Sequence, residues 1–146
     1  MLSRLLSRAL FPPLSPNLDS GETIARFLFL TDHYNASSGA IKSRAFQPRS
    51  DSLTLSVFRI AGLSRRLIWL LGDLFSAGSR VSPAARADIA VSAVSHLGLH
   101  VVPDAPPPRH AQIAGWPAEK SERLSFAQRL AKSAILELSP ERNHHS

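Results

Sequence analysis

Two histidines are the candidates for acid–base chemistry in this chain. His33 lies in a polar loop, and His110 follows a run of three prolines and an arginine. One imidazole can act as a general base and the other as a general acid when both reach the same reacting group. We therefore take His33 and His110 as the predicted catalytic residues. The reaction they would suit is metal-free cleavage of a phosphodiester.

Four cationic side chains are predicted to bind an anion beside these histidines. They are Arg26, Lys42, Arg59 and Arg109. Fixed positive groups stabilise the charge that develops on a reacting phosphate. Each of the four lies at a predicted strand end or in an adjoining loop, where a scaffold can present polar groups to a ligand.

Asp88 is predicted to have a structural or orienting role. Arg59 falls on the apolar side of an alternating strand, and a buried cation is costly unless an acid pairs with it. Asp88 is the predicted partner of Arg59. The histidines also have simpler interpretations, because His33 can be a solvated loop residue and His110 can bond a backbone carbonyl.

Composition narrows the classes of partner and of site. The 146 residues carry a net charge of +6, which favours anionic partners such as nucleic acid. An alternative remains open, because the cations are mostly arginine and such a bias is also typical of a GC-rich genome. The absence of cysteine excludes disulfides and thiolate metal sites. His96 and His100 are four residues apart, but Gly98 should break a helix between them, so we predict no metal site and no cofactor.

The pattern of apolar residues predicts an α+β fold. Leu53, Leu55 and Val57 alternate with polar residues, as in a half-buried strand. Short apolar segments at 26–30, 41–46, 86–89, 99–102 and 110–116 are further strand candidates. Apolar residues at helical spacing predict two main helices, at 67–75 with a stop at Gly78 and from 117 to 138. We expect a mixed sheet of four or five short strands with these helices packed on it.

The chain is predicted to form one domain over residues 21–139. Residues 1–20 are interpreted as a poorly ordered or amphipathic leader, because leucines recur at helical spacing before several prolines. A targeting presequence is a further alternative, since no acid occurs before Asp19. Residues 140–146 are predicted to be a flexible tail. The leader is too short to span a bilayer, and we expect a cytoplasmic protein.

Several segments give the chain a resemblance to a set of small uncharacterised bacterial proteins. The segments are Arg26 to Phe29 with His33, Ile41-Lys42, Ala45-Phe46 with Pro48, Leu55 to Ile60, Ala87-Asp88, and Pro107 to Pro117 with Lys120. The run from Pro107 to Pro117 is the most specific of them. The resemblance covers about three quarters of the chain and implies a bacterial origin and a single shared domain. It implies no activity.

The sequence therefore leads to two functional hypotheses. In the first, a small module binds a phosphate-bearing ligand or nucleic acid in a basic cleft, with metal-free phosphodiester cleavage as its catalytic form. In the second, the chain is a non-catalytic subunit that contacts another protein through the prolines at 106–108 and Trp116. Clustering of His33, Lys42 and His110 in one concave pocket would favour the first hypothesis. Scatter of these residues beside an exposed apolar patch would favour the second.

Overall fold

A computed structural model describes residues 3–76 and 81–143. Its strands are β1 (Thr23–Leu28), β2 (Tyr34–Asn35), β3 (Ala40–Ile41), β4 (Leu55–Arg59), β5 (Ala85–Ala90), β6 (His100–Pro103), β7 (His110–Ala114) and β8 (Ile135–Leu138). Six of them form one sheet in the order β6-β7-β4-β1-β5-β8, and β2 and β3 form a separate hairpin. The α+β class is confirmed. The prediction of a mixed sheet is wrong, because every neighbouring pair in the six-stranded sheet is antiparallel.

Five α-helices lie within the described residues. They are α1 (Arg4–Leu10), α2 (Arg65–Phe75), α3 (Val91–Ser95), α4 (Lys120–Ser133) and α5 (Pro140–Asn143). The Ser64 hydroxyl caps α2 by accepting a hydrogen bond from the Leu67 amide at 3.2 Å. The predicted stop at Gly78 lies outside the described residues, and α2 ends at Phe75. None of the helices within the described ranges is long and apolar enough to cross a membrane.

The sheet has a hydrophobic cluster on each face. On one face, Leu55 and Val57 belong to a cluster completed by Leu130 of α4 and Val94 of α3. On the other face, the rings of Phe27 and Phe58 form a cluster with Ile68 and Leu71 of α2. Alternation along each strand sends successive side chains to opposite faces, so one strand supplies both clusters. The two predicted main helices, α2 and α4, therefore cover opposite faces.

Two predicted elements change type in the structure. The apolar stripe of the last helix was expected to continue to Leu138, but α4 ends at Ser133 and residues 135–138 form β8. β8 pairs with β5 from Asp88↔Ile135 to Ala85↔Leu138, which satisfies the outer backbone groups of β5. The predicted strand at 41–46 ends after Ile41, and Ser43–Phe46 is a 3-10 helix.

Contacts extend beyond the predicted domain boundary at residue 21. Phe11 is 2% exposed, and its ring meets the Phe75 ring edge-on at 5.9 Å between centroids. Leu18 packs against the cluster on the opposite face. At the other end, residues 140–143 of the predicted tail form α5. The segment from Phe11 to Leu18 therefore contributes to the packing of the domain.

Gly72 is predicted to be intolerant of a larger side chain because α2 approaches β1 closely there. A Cβ atom on Gly72 would lie 2.6 Å from Cε1 and 2.9 Å from Cζ of the buried Phe27 ring. We expect Gly72→Ala to lower the free energy of unfolding by about 1–3 kcal/mol, measured by urea denaturation. Gly21→Ala is the control, because a Cβ there meets nothing within 4 Å. An unchanged stability of Gly72→Ala would contradict this packing.

Candidate functional site

A basic groove lies between the amino-terminal segment and the loop that joins β6 to β7. Its volume is about 690 Å³. The lining residues are Arg4, Ser7, Arg8, Phe11, Pro13, Leu14, Pro16, Arg59, Phe75, Pro103, Ala105, Pro106, Pro107, Pro108, Arg109 and His110. Three predicted site residues, Arg59, Arg109 and His110, therefore converge on one cavity. No acidic residue belongs to this lining.

Arg59 is engaged by groups of the protein itself. Its Nε and Nη2 donate to the two Glu22 carboxylate oxygens at 2.6 and 2.8 Å, and both side chains are 6% exposed. Its Nη1 donates to the Ser15 carbonyl at 2.7 Å. The predicted salt bridge with Asp88 is therefore replaced by a bidentate salt bridge with Glu22. Arg59 shapes the groove, but its charge is already balanced.

Arg109 also shapes the groove. Its Nε donates to the Pro12 carbonyl at 2.7 Å, and its Nη1 donates to the carbonyls of Arg59 and Ala61 at 3.1 and 2.8 Å. Burial lowers the pKa of the Arg109 guanidinium, and the nearby Arg59 charge adds to this while Glu22 opposes it. Arg109 has a φ of +65°, in the left-handed region, and its side chain reaches the amino-terminal segment at Pro12. Together, Arg59 and Arg109 hold residues 12–15 against the sheet.

Arg4 and Arg8 are the free cations of the groove. Both are exposed on α1, and neither forms an ion pair with any residue in the described part of the chain. Their spacing of four residues places them on the same side of the helix, along one wall of the groove. We did not predict them as site residues. The available signal was the pair of arginines in a stretch without acids before Asp19.

His110 lies where the groove joins a smaller cavity. The smaller cavity has a volume of about 140 Å³ and shares His110, Phe75 and Pro107 with the groove. The imidazole stands edge-on to the Phe58 ring at 5.3 Å, and its Nδ1 lies 3.2 Å from the Asp104 carbonyl oxygen and 3.5 Å from the Asp104 carboxylate. This contact matches the simpler interpretation of His110, and it leaves Nε2 as the ring nitrogen without a bond inside the described residues.

Arg26 lines the smaller cavity and occupies a split in the sheet. β1 and β4 pair only at Ile24↔Arg59 and Ala25↔Phe58. Just past this ladder, Arg26 donates from Nη1 to the Ser56 carbonyl at 3.0 Å and from Nε to the Ala45 carbonyl at 3.1 Å. Burial lowers the pKa of the Arg26 guanidinium to about 10. No carboxylate within the described residues pairs with Arg26, so its charge remains uncompensated.

His33 and Lys42 lie in a different cluster, beside the β2–β3 hairpin. The Lys42 amide donates to the His33 carbonyl at 2.9 Å, which joins the two positions. Burial is the main cause of a lowered His33 pKa. Asp32 opposes this effect, whereas the charges of Arg26, Arg44 and Lys42 add to it. Neither His33 nor Lys42 lines the groove or the smaller cavity. The two predicted catalytic histidines thus do not share either cavity.

Asp88 pairs with Arg86 and not with Arg59, its predicted partner. Arg86 donates from Nε to the two Asp88 carboxylate oxygens at 3.0 and 3.1 Å, and its guanidinium lies 4.9 Å from the centre of the Trp69 ring. Burial raises the Asp88 pKa, Arg86 opposes this, and Glu137 adds to it. This pair lies beneath α2 and belongs to the packing of the sheet.

The described residues contain no group of three or more histidine, aspartate or glutamate side chains that could hold a metal ion. No family model, no curated protein and no solved structure matches this chain. The groove and its residues are therefore the basis for assigning a function.

Proposed function

We propose that the groove binds a phosphate-bearing ligand, with a nucleic-acid strand as the ligand that fits best. The single observation that supports this is the composition of the lining, which contains four arginines and no acid, while Glu22 and Asp104 contact Arg59 and His110 from outside it. Arg59 is already paired with Glu22, so Arg4 and Arg8 are the groups available to a phosphate. A guanidinium can donate two parallel hydrogen bonds to phosphate oxygens.

The rest of the lining suits the apolar part of such a ligand. Pro103 ends β6, prolines 106–108 lie in the loop that joins β6 to β7, and Phe75 lies at the junction with the smaller cavity. A single-stranded nucleic acid combines a charged backbone with flat bases, and proteins commonly bind it with cations beside apolar or aromatic surfaces. Arg4 and Arg8 would contact the backbone in this arrangement, while a base would lie on the prolines.

Binding is better supported than cleavage. A metal-free mechanism needs an acid and a base at one phosphate, and His110 is the only imidazole in the groove lining. His33 lies in the cluster beside the hairpin. We therefore propose a binding role for His110 through Nε2, which accepts a hydrogen bond from a base or sugar hydroxyl in the neutral imidazole and donates to a phosphate oxygen only in the protonated form. Strand cleavage is an additional readout of the same assay.

A protein-binding role is the second candidate. The expected contact through Trp116 is wrong, because that side chain is 6% exposed and packs in the core, but one other observation favours the role. Leu5 and Leu6 are 84% and 48% exposed on α1, the helix that carries Arg4 and Arg8. Exposed apolar side chains next to a groove are a feature of surfaces that contact other proteins. In this version the ligand is an acidic peptide, whose carboxylates would contact Arg4 and Arg8.

Removal of both free arginines is expected to weaken strand binding strongly. We expect Arg4→Ala/Arg8→Ala to bind fluorescein-labelled single-stranded DNA and RNA at least about tenfold more weakly, because each charged hydrogen bond contributes about 1.5–3 kcal/mol. The slope of log K against log salt should fall by about 1.4, since each lost phosphate contact removes about 0.7 for a single strand. Fluorescence anisotropy at several salt concentrations gives both quantities.

The matched control is Arg66→Ala/Lys120→Ala, which removes two exposed cations outside the groove lining. Equal weakening in this control would mean that only net charge matters, and the groove would not be the site. Absent or salt-insensitive binding by the wild type would overturn the nucleic-acid proposal and leave the protein-binding candidate. His110→Ala in the same assay shows whether any strand cleavage depends on the imidazole.

A further inference from the structure

A second groove lies on the opposite face of the sheet, where α4 passes the β2–β3 hairpin. Its volume is about 570 Å³. The lining residues are Gly39, Ala40, Ile41, Ser43, Ser125, Gln128, Arg129, Ala131, Lys132 and Ala134. It shares no residue with the groove beside α1. This cavity is the α4 groove.

The spacing along α4 directs its polar side chains into this groove. Ser125, Gln128, Arg129 and Lys132 follow one another at intervals of three, one and three residues, which is one side of a helix. Leu130 on the other side is fully buried in the core. The core packing of α4 therefore fixes the direction in which Arg129 and Lys132 point.

Arg129 and Lys132 are cations without an acid. Neither forms an ion pair with any residue in the two described ranges, and the groove lining contains no aspartate or glutamate. Glu119 and Glu122 lie at the opposite end of the helix, and Glu137 of β8 lies 3.9 Å from Arg65 of α2. The local charge of the groove is therefore positive and uncompensated.

The remaining lining residues are small or neutral and polar, apart from the half-buried Ile41. Part of the groove is lined by the small side chains of Ala40, Ala131 and Ala134. A Cβ atom on Gly39 would meet nothing within 4 Å. No aromatic side chain belongs to this lining. A groove with two cations, hydroxyl and amide donors and mostly small side chains suits a phosphate group. It contains no aromatic ring on which a base could stack.

We propose that the α4 groove is a second phosphate-binding site, in which Arg129 and Lys132 hold the anion and Gln128 or Ser43 adds a hydrogen bond. The phosphate can belong to a small phosphate ester or to the backbone of a strand, since the chemistry recognised is the same. The proposal does not depend on the groove beside α1, because the two linings are separate.

Titration of the isotope-labelled full chain with pyrophosphate and, separately, with a short single-stranded DNA tests the second site. We expect the backbone amide signals of Gly39, Ser43 and Gln128 to shift in nuclear magnetic resonance spectra with at least one of the two probes. Arg129→Ala/Lys132→Ala should weaken the affinity derived from these signals by at least about tenfold, because two charged contacts are lost. A response to pyrophosphate alone identifies a small phosphate ester, and a response to the strand identifies its backbone.

The control variant is Arg66→Ala/Lys120→Ala, which removes the same charge from exposed positions outside the groove. Equal weakening by the control, or no shift of these amides with either probe, would overturn the second site. Urea denaturation of both double variants separates a binding effect from a loss of stability. Shifts confined to residues around Arg4 and Arg8 would also overturn it while leaving the first groove intact. Shifts confined to residues of the α4 groove would overturn the first groove alone.

Discussion

Replacement of Arg59 with methionine is expected to lower the free energy of unfolding by about 3–5 kcal/mol, because the Glu22 carboxylate would remain buried without its cation. Both side chains of this pair are 6% exposed, and their two hydrogen bonds measure 2.6 and 2.8 Å. The variant also loses the bond from Arg59 to the Ser15 carbonyl. Thermal unfolding should shift down by roughly 10 °C or more for a chain of this size.

The exposed pair between Arg49 and Asp51 provides the control for Arg59→Met. It has the same two-pronged geometry, at 3.3 and 3.2 Å, but the side chains are 73% and 68% exposed. Arg49→Met should therefore cost at most about 1 kcal/mol. Equal effects of the two substitutions on chemical denaturation would contradict the role assigned to the buried pair. Amide exchange in Arg59→Met should also accelerate across residues 12–18, because an anchor of this segment is gone.

Replacement of Arg86 with methionine is expected to cost about 3–5 kcal/mol near neutral pH and much less in acid. Arg86 is 5% exposed and is the cation that binds the Asp88 carboxylate. Burial already raises the Asp88 pKa above its ordinary value of 3.8, and the Arg86 charge opposes that rise. The substitution removes the opposing charge, so the pKa of Asp88 should rise further.

The direction of the pH dependence follows from proton uptake. Between the ordinary pKa of 3.8 and the raised folded-state pKa, the folded protein holds more of the Asp88 proton than the unfolded chain. The free energy of unfolding therefore falls as pH rises through that window, and it falls more in Arg86→Met than in the wild type. Urea denaturation from pH 4 to pH 8 measures this difference.

Arg86→Met/Asp88→Asn should recover most of the stability that Arg86→Met loses near neutral pH, because no ionisable carboxyl remains buried at that position. Its stability should also lose the pH dependence that Asp88 causes. A double variant as unstable as Arg86→Met would show that packing beneath Trp69, which lies over the Arg86 guanidinium, causes the loss instead of the charge.

The sequence supports the elements whose pattern is local. Alternation from Leu53 to Val57 predicts a strand that the structure contains as β4, and the apolar spacing from Leu67 to Phe75 matches α2. β8 was missed because Ile135 and Leu138 also continue the apolar spacing of α4. Their strand conformation results from pairing with β5, and a tertiary contact of this kind is not visible in local periodicity.

Site residues could be predicted to lie together only where they are neighbours in the sequence. Arg109 and His110 are neighbours in sequence, and both line the groove. Arg59 was correctly expected to need an acid, but Glu22 is 37 residues away and is one of several acids that could have filled that role. The separation of His33 from His110 depends on how the hairpin packs beside the sheet, which residue types and spacing do not encode.

The buried side chains of Arg59 and Arg109 fix residues 12–15 against the sheet through hydrogen bonds to the Ser15 and Pro12 carbonyls. A version of the chain that starts near residue 20 would keep all six sheet strands yet present only half of the groove. It would also leave the guanidinium of Arg109 without its Pro12 acceptor and the Phe75 ring without its Phe11 neighbour.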